Sequence, residues 1–566
     1  MAIGTPGHAA SFDVVVIGGG LAGLRAALEA SLGGSVAVVS KVHPLRSHSV
    51  SAQGGINAAL GHADPSDSWQ EHVRDTIEGS DDLADPEAVE VMCRAGPEAV
   101  RELEHMGAVF SRTPDGRIAQ RPFGGAGSPR TCYSSDRTGH DLLHTLYEQA
   151  MGRPIEFCDE CFVTSLVHHR GRCVGCFAWD MAEGGMFALS ARSTVLACGG
   201  HGQIYQHTTN SYNCTGDGAA LALNAGAAVE DMEFVQFHPT ALAGTDILVS
   251  EASRGEGGKL INGEGERFMR RYAPEEMDLA PRDVVARSIQ TEIDQGRGVD
   301  GHVLLDITGL GERLIEERLP GTRRISVDFA SVDPVKEPMP VHPAQHYSMG
   351  GVAVDVEGRT SLPGLLAAGE CACVSVHGAN RLGGNSLLEA VAFGRIAGRT
   401  ALRVGGPDDP DLVASRLPAE AERLEALFRP GGPGDVPALR EELQRTMSER
   451  FGIFRSGEDM LGGLERIRSI ARKASRSTVR DGVRTYRQDL ISLLELRNMA
   501  LVAEAVALAS LWREESRGSH CRTDRPERDD GRFRRHSLIR LDGGKCALAS
   551  VPVGASGIRA VKGRMA

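Results

Sequence analysis

The first forty residues alternate between apolar runs and one glycine-rich turn. Residues 12–17 form a β-branched apolar run, which predicts a buried parallel strand. Residues 24–32 are rich in alanine and leucine and predict a helix, and residues 35–39 predict a second strand. The glycine-rich turn at 18–23 lies between the first strand and the helix. The order is therefore a strand–turn–helix–strand unit, and residues 193–200 predict a later strand that closes the same domain.

A second region, between residues 158 and 180, alternates like a two-stranded hairpin. The alternating positions are Phe162, Thr164 and Leu166, then Val174, Cys176 and Ala178. The region also contains two C-x-x-C pairs, a spacing that zinc ribbons use: Cys158, Cys161, Cys173 and Cys176. The eleven residues between the pairs are few for such a site. We therefore favour cysteines that pack as small apolar side chains, with a bound metal as the alternative.

Apolar residues at helical spacing dominate from about 414 to 516. They include Leu439, Leu443, Met447 and Phe451, and further along Leu490, Leu494 and Leu501. This spacing predicts the core positions of a helical bundle. A glycine- and proline-rich segment at 405–410 precedes the bundle and has the composition of a linker.

The composition is that of a large globular protein with reduced cysteines. The chain has 566 residues, of which 41% are hydrophobic, and this length suggests several domains. The formal net charge of −13 argues against a nucleic-acid partner, since a nucleic-acid binder would show a basic face. Twelve cysteines are too few for a disulfide scaffold. No apolar run reaches the roughly 20 residues of a membrane helix and no secretory signal is visible, so we expect a cytoplasmic chain.

The glycine-rich turn has the G-x-G-x-x-G spacing of a dinucleotide-binding fingerprint, formed by Gly18, Gly20 and Gly23. In this setting the glycines let the backbone approach a pyrophosphate, and the helix N-terminus offers N–H donors to it. The second strand ends in Ser40-Lys41, where NAD-binding chains usually carry an acidic residue for the ribose. The pattern therefore favours FAD over NAD.

Several long strings follow in order along the chain. They are RSHSVSAQGGI at 46–56, QRPFGG at 120–125, DRTGH at 136–140, TGDG at 215–218, FVQFHPT at 234–240, EASRGEGG at 251–258, PRDVVAR at 281–287, HYSMGG at 346–351, AGE at 368–370 and HGANRLGGNSL at 377–387. From about residue 12 to about residue 538 the sequence closely resembles the flavoprotein subunits of succinate dehydrogenase and fumarate reductase. Two departures are Cys198 and Ser250, at positions where the family usually has threonine.

The resemblance implies an α/β fold built around a discontinuous, Rossmann-like FAD-binding domain at 1–238 and 347–404. An α+β capping domain at 239–346 is expected as an insertion, followed by a helical domain at 414–516 and a small C-terminal domain at 517–566. The active site would then lie between the FAD-binding and capping domains, where ligand sites commonly occur.

The resemblance also implies that FAD is attached covalently through His48, the histidine of the R-S-H-S string. Asp217 and Glu370 would accept hydrogen bonds from ribityl or ribose hydroxyls. The full set of expected cofactor residues is Gly18, Gly19, Gly20, Leu21, Ala22, Gly23, Ser40, Lys41, Ser47, His48, Ser49, Gln53, Gly54, Gly55, Asp217, Glu370, Arg381, Ser386 and Leu387. No resident metal is expected.

The implied substrates are succinate and fumarate, whose two carboxylates suit the bidentate contacts of arginine. The expected substrate-binding residues are Phe123, His238, Ser250, Glu251, His346 and Arg381. Taken alone, Arg282 would only balance substrate charge, because the free pKa of arginine is above about 12. The resemblance instead implies that Arg282 donates and accepts the proton, with a relay through Glu251 and Arg254.

The family also implies partners and two competing assignments. The chain carries no ferredoxin-type cysteine run, so an iron–sulfur subunit would receive the electrons and a quinone-reactive membrane anchor would follow it. The expected location is the cytoplasmic face of the cell membrane, through those partners. One alternative is a soluble L-aspartate oxidase, which shares the AQGGI stretch but lacks the histidine at position 48. The other is a non-catalytic flavin-binding scaffold, which should have lost the histidine and arginine set.

Overall fold

The structure is a computed structural model that describes residues 7–429, 432, 434–480 and 482–554. Residues 1–6 of the expected first domain and residues 555–566 of the expected C-terminal domain lie outside the described residues. The predicted fold class is confirmed, since parallel and antiparallel sheets are combined with a helical region. The predicted domain bounds stay a prediction.

The strands, in chain order, are β1 (Ala9–Ile17), β2 (Val36–Val39), β3 (Ile56–Asn57), β4 (Gln120–Arg121), β5 (Thr131–Cys132), β6 (Ile155–Cys158), β7 (Cys161–His169), β8 (Arg172–Asp180), β9 (Gly185–Leu196), β10 (Val229–Glu230), β11 (Val235–Leu242), β12 (Lys259–Ile261), β13 (Val303–Asp306), β14 (Met339–Ser348), β15 (Gly351–Ala353), β16 (Leu365–Ala367), β17 (Ala372–Cys373), β18 (Phe454–Arg455), β19 (Cys521–Arg522), β20 (Arg535–Asp542) and β21 (Lys545–Pro552).

The helices are α1 (Leu21–Ala30), α2 (Trp69–Gly79), α3 (Pro86–His105), α4 (Thr138–Met151), α5 (Asp217–Asn224), α6 (Ala252–Gly255), α7 (Met269–Tyr272), α8 (Arg282–Asp294), α9 (Glu312–Arg318), α10 (Pro320–Ala330), α11 (Asn385–Val404), α12 (Pro410–Glu425), α13 (Val436–Arg450), α14 (Gly457–Arg476), α15 (Gln488–Trp512) and α16 (Asp530–Phe533). None of these described helices combines the length and apolarity that crossing a membrane requires.

The largest sheet confirms the predicted strand–turn–helix–strand unit. Its strand order is β6-β2-β1-β9-β8-β7, and β16 pairs with β9. Strand β1 is parallel to both β2 and β9, and Val14, Val15 and Val16 have no exposed surface. Helix α1 begins three residues earlier than predicted, because the Leu24 N–H already bonds to the Gly20 carbonyl. The glycine turn therefore leads directly into the helix.

The predicted hairpin is confirmed as β7 and β8, which pair antiparallel. Cys161, Cys173 and Cys176 lie on these two strands, whereas Cys158 is the last residue of β6. All four cysteines are buried, and burial raises the pKa of Cys158 to about 12. Within the described part of the chain, no group of three or more possible ligand atoms lying within 4.8 Å of one another includes these thiols. The geometry therefore favours cysteines that pack in the core.

A separate four-stranded antiparallel sheet, β11-β14-β13-β12, forms a second layer with its own hydrophobic core. Helix α8 packs against β11 and β14 of this sheet. Strands β11 and β14 run through the predicted domain junctions at 238–239 and 346–347. Both junctions thus lie inside strands, next to positions where the β11–β14 pairing shifts register.

Helices α13 to α15 form the predicted bundle, whereas α12, at the start of the predicted helical region, packs on β8 and β9 of the large sheet. Leu439, Leu443, Met447 and Phe451 lie in one buried cluster, as predicted. Leu490 and Leu494 belong instead to the cluster that contains Trp179 of the β7–β8 hairpin. One end of α15 therefore packs on the sheet rather than inside the bundle.

A buried ion network joins the bundle to the C-terminal hairpin. Arg513, which follows α15, donates to Glu233 at 2.7 Å and to Glu515 at 3.0 Å, and Arg517 donates to Glu515 at 2.7 Å. All four side chains have no exposed surface. Arg513 also donates to the Phe533 carbonyl just before β20. The hairpin β20–β21 in turn completes the sheet β17-β15-β10-β20-β21.

We expect Arg513→Met to destabilise the protein strongly, because it leaves the buried carboxylate of Glu233 without its guanidinium partner, while Glu515 keeps Arg517. Breaking a buried pair in this way costs about 3–5 kcal/mol. The shift of the denaturant midpoint measures it. Arg313→Met is the matched control, since Arg313 is 91% exposed and pairs with Glu317 on one helix. Equal shifts for the two variants would show that the network does not stabilise the fold.

Candidate active site

One cavity of about 930 Å³ lies between the large mixed sheet and the four-stranded sheet. All but two of the sequence-predicted site residues line it. The exceptions are Gly23 and Arg254. A cavity of this size, with glycine-rich backbone at one part and arginine and histidine at another, can hold a dinucleotide and a small anion.

The N-terminus of α1 opens into the cavity beside backbone that tolerates no side chain. A Cβ added at Gly18 would lie 2.2 Å from the Ala197 carbonyl oxygen, and Gly18 has a φ of +111°. The Leu21 N–H bonds to Ser49 Oγ at 3.2 Å, whereas the buried Ser47 Oγ has no hydrogen-bond partner. N–H donors, the helix dipole and an unpartnered hydroxyl together fit a pyrophosphate. The residues present therefore fit FAD.

Gly23 lies behind this surface. A Cβ there would be 1.9 Å from the Gly18 carbonyl oxygen. The third glycine of the fingerprint therefore allows the helix to pack closely on the turn, and we infer no direct contact with the cofactor.

Lys41, at the end of β2, is held by carboxylates. Its Nζ lies 2.6 Å from Asp217 Oδ2 and 2.7 Å from Glu495 Oε1. Burial would lower the pKa of Lys41, but the two carboxylates outweigh it and raise that pKa above the ordinary value. Asp217 also accepts from Asn498 at 2.8 Å. Asp217 thus binds protein groups through both oxygens, a use that the sequence did not predict.

Glu370 lines the same cavity. Its Oε1 accepts the Ser348 N–H at 3.0 Å, and burial raises the pKa of Glu370 to about 7. The carboxyl group can therefore both accept and donate hydrogen bonds to a polyhydroxyl chain near neutral pH.

His48 faces the cavity with an uncharged ring. Burial lowers the pKa of His48 to about 4. The Ser211 N–H points at Nδ1 at 3.3 Å, and Asn210 Nδ2 lies 3.1 Å from Nε2. The backbone donor at Nδ1 requires a lone pair there. A hydrogen or substituent on Nε2 then requires the Asn210 amide nitrogen, which is also a donor, to turn away from that atom.

A charge cluster of Glu251, Arg254 and Arg282 lies where α6 and α8 begin. Arg282 Nε donates to Glu251 Oε2 at 2.7 Å, and Arg254 lies 4.0 Å from the same oxygen. Burial would raise the pKa of Glu251, but the two guanidinium groups hold it below its usual range. Glu251 is therefore an ionised carboxylate that offsets part of the positive charge.

Two histidines and Arg381 face this cluster. The rings of His238 and His346 lie 4.9 Å apart. Burial, reinforced in both cases by nearby positive charge, lowers each pKa well below its ordinary value. Arg381 donates to Ser386 at 2.9 Å and stacks 4.3 Å from the Tyr347 ring, and its buried Nε has no partner. Neutral imidazoles beside guanidinium groups form an anion site.

Sequence reasoning missed several side chains that orient these groups. Gln236 accepts from Arg282 at 3.2 Å and donates to the Arg381 carbonyl at 2.8 Å, so it links the two arginines. It lies within the FVQFHPT string, which could have pointed to it. Asn210 and Ser211 lie in a polar loop that has no comparable signal in a single sequence.

The chain matches known flavoproteins over nearly its whole length. Residues 13–387 match the family model described as an FAD binding domain, and residues 440–562 match the model described as the fumarate reductase flavoprotein C-terminus. A succinate dehydrogenase flavoprotein subunit of Rickettsia bellii is 43% identical, over 96% of this chain and 95% of that relative. A fumarate reductase flavoprotein subunit of Mycobacterium tuberculosis is also 43% identical, over 96% and 97%.

The fold leads to the same relatives. A solved structure of a mutated E. coli quinol fumarate reductase superposes with a TM-score of 0.93 at 36% identity, covering 97% of this chain and 98% of that one. These matches favour the predicted assignment over an L-aspartate oxidase and over a non-catalytic scaffold. The chain is an FAD-dependent oxidoreductase and belongs to the family of succinate dehydrogenase and fumarate reductase flavoprotein subunits.

Proposed function

We propose that the charge cluster, Arg381 and the two histidines bind a four-carbon dicarboxylate, and that the chain interconverts succinate and fumarate at this site. The observation that carries the proposal is the Glu251–Arg282 pair at 2.7 Å inside the same cavity as the glycine turn. Arg254, 4.0 Å from Glu251, offsets the negative charge of that carboxylate. The positive charges of Arg282 and Arg381 therefore remain for the two carboxylates of the substrate. Bound FAD supplies hydride acceptance and donation.

We propose that the Phe123 ring and four polar side chains hold the substrate in one orientation. Phe123 is buried, and a Cβ at Gly54 or at Gly383 would lie 2.8 Å from its ring. The ring is therefore confined between two backbone segments and gives a flat apolar face against the substrate. The polar contacts to the substrate come from Arg381, His346, His238 and Ser250. Holding the dicarboxylate in one orientation lowers the entropic part of the barrier.

We assign the proton transfer to Arg282. Its Nε donates to Glu251 and its Nη1 donates to Gln236, while its Nη2 makes no hydrogen bond to a described residue. A Cβ at Gly383 would lie 3.1 Å from that Nη2, so the missing side chain leaves room beside it. Arg282 gives a proton to the substrate carbon in fumarate reduction and takes it in succinate oxidation. Glu251 and Arg254 replace or remove that proton.

For the cofactor, we propose covalent attachment through His48 Nε2. The ring is neutral, and an Nε2-substituted imidazole keeps the Nδ1 lone pair that the Ser211 N–H requires. The other residues that we propose to hold FAD all line this cavity: the turn at 18–22, Ser40, Ser47, Ser49, Gln53, Gly54, Gly55, Glu370, Ser386 and Leu387. Lys41 and Asp217 act as a charged pair at the edge of the cofactor site.

The partners follow from the family rather than from this chain. The E. coli relative is named as a quinol fumarate reductase, which supports a quinone-linked electron path here as well. We propose an iron–sulfur protein subunit and a quinone-reactive membrane anchor as partners. They would hold this subunit at the cytoplasmic face of the cell membrane. The bounds 1–238 with 347–404, 239–346, 414–516 and 517–566 remain our proposal for the domains.

We expect Arg282→Gln to lower kcat/KM for succinate by about 10²–10⁴-fold, the usual contribution of a general acid–base group, while FAD stays bound. Arg282→Lys should recover little of this, because it restores charge but not the guanidinium geometry. Arg287→Gln on the same helix, outside the cavity lining, is the control. Near-normal kcat/KM in Arg282→Gln would rule out the proton role, and rescue by lysine would reduce it to charge balance.

We expect acid-denatured protein to retain flavin, and His48→Ser to lose it on denaturation while still binding FAD when folded. Intact mass under denaturing conditions measures the difference as the mass of one FAD. His43→Ser is the matched control, since His43 is a nearby histidine outside the cavity lining. A wild-type mass without flavin would contradict covalent attachment, and a flavin adduct that survives in His48→Ser would place it on another residue.

A further inference from the structure

A second cluster of ligating side chains, the rim triad, consists of His207, Asp246 and His342 at the edge of the cavity. His207 Nδ1 lies 3.2 Å from each carboxylate oxygen of Asp246, and His342 Nε2 lies 2.8 Å from Asp246 Oδ1. The three ligand atoms all lie within 4.8 Å of one another. The two rings meet edge to face, with centroids 5.2 Å apart.

The fold holds the three residues in place. His342 belongs to β14 and pairs across the sheet with Ala241 of β11. Asp246 follows β11 in a tight turn, where its φ of +58° is a conformation that favours glycine, and its N–H bonds back to the Leu242 carbonyl. The His207 carbonyl accepts the Gln345 N–H at 2.9 Å, which fixes the loop to the same strand. The ligand atoms therefore converge without a large rearrangement.

The ligand atoms of the rim triad favour some metal ions over others. Two imidazole nitrogens with one carboxylate oxygen suit zinc and neighbouring transition metals, and not calcium or magnesium. Metal–ligand bonds of about 2.0–2.2 Å separate the ligands of a tetrahedral ion by roughly 3–3.5 Å, close to the spacing here. The side chains of His207, Asp246 and His342 are 53%, 21% and 16% exposed, so an ion can enter from solvent. A fourth position would remain for water.

The other ligating cluster among the described residues contrasts with this one. It consists of Glu230, Asp231 and His536, all buried, where His536 already pairs with Asp231 at 2.7 Å. It offers a single imidazole beside two carboxylates. The rim triad is therefore the better metal site.

We propose that the rim triad binds one divalent transition-metal ion, with Zn²⁺ as the probe, and that the ion links the loop at 207–211 to strand β14. Each imidazole turns its lone pair to the metal and carries its hydrogen on the other ring nitrogen. The same loop bonds to the candidate active site, because Thr209 lies 2.8 Å from His346 Nδ1 and Asn210 lies 3.1 Å from His48. A bound ion thus anchors the segment that orients both histidines.

The test uses the full chain with FAD bound and without a histidine tag. Equilibrium dialysis against Zn²⁺ gives stoichiometry and affinity, and the visible spectrum with Co²⁺ reports the coordination. We expect one tight equivalent that also raises the thermal midpoint. Asp246→Asn and the loop variant His207→Ala should each weaken it by at least about 10-fold.

The control separates the triad from a competing pair. His140 and His144 stack on α4 with ring centroids 4.1 Å apart, a spacing that can also hold a metal. His144→Ala should leave the tight equivalent unchanged. The proposal is overturned if wild-type protein binds no Zn²⁺, if Asp246→Asn and His207→Ala bind it as wild type does, or if His144→Ala abolishes it. Because His207 is an exposed loop residue, its variant should fold, and near-ultraviolet circular dichroism checks this.

Discussion

The candidate active site depends on one buried carboxylate between guanidinium groups. Glu251 accepts from Arg282 at 2.7 Å and from the Gly124 N–H at 2.7 Å, and Arg254 lies behind it. Without the Glu251 carboxylate, the buried arginines would repel one another with no compensating charge. With it, enough positive charge remains to bind a dianion, while the histidines nearby stay neutral. The charge balance of the pocket is therefore set by this pair.

The scaffold explains how the charges meet. Glu251 and Arg282 stand at the starts of α6 and α8, on the four-stranded sheet. Arg381 and Gly383 come from the loop before α11, on the side of the large sheet. Strands β11 and β14 belong to the four-stranded sheet, and His238 and His346 lie on them. The pairing of β11 shifts register after His238, an irregularity of the kind that redirects side chains.

Much of this was visible in the sequence, for identifiable reasons. The β1–α1–β2 unit was predicted because its periodicity and glycines are local signals, and the family resemblance supplied the residues of the cavity. The contacts that the sequence did not predict join residues far apart along the chain. Lys41 finds its partners Asp217 and Glu495 at distances of 176 and 454 residues along the chain, which no local pattern encodes. Leu490 and Leu494 have helical spacing, yet that spacing does not say which neighbour the helix packs against.

The most direct test of the central claim is anaerobic reduction of the bound flavin, followed by its visible absorbance. Purified protein is mixed with succinate and, in parallel, with L-aspartate. We predict that succinate bleaches the flavin and that L-aspartate does not, because two guanidinium groups and neutral histidines suit a dianion that has no amino group. Bleaching by L-aspartate, or no bleaching by succinate while FAD is bound, would contradict the account.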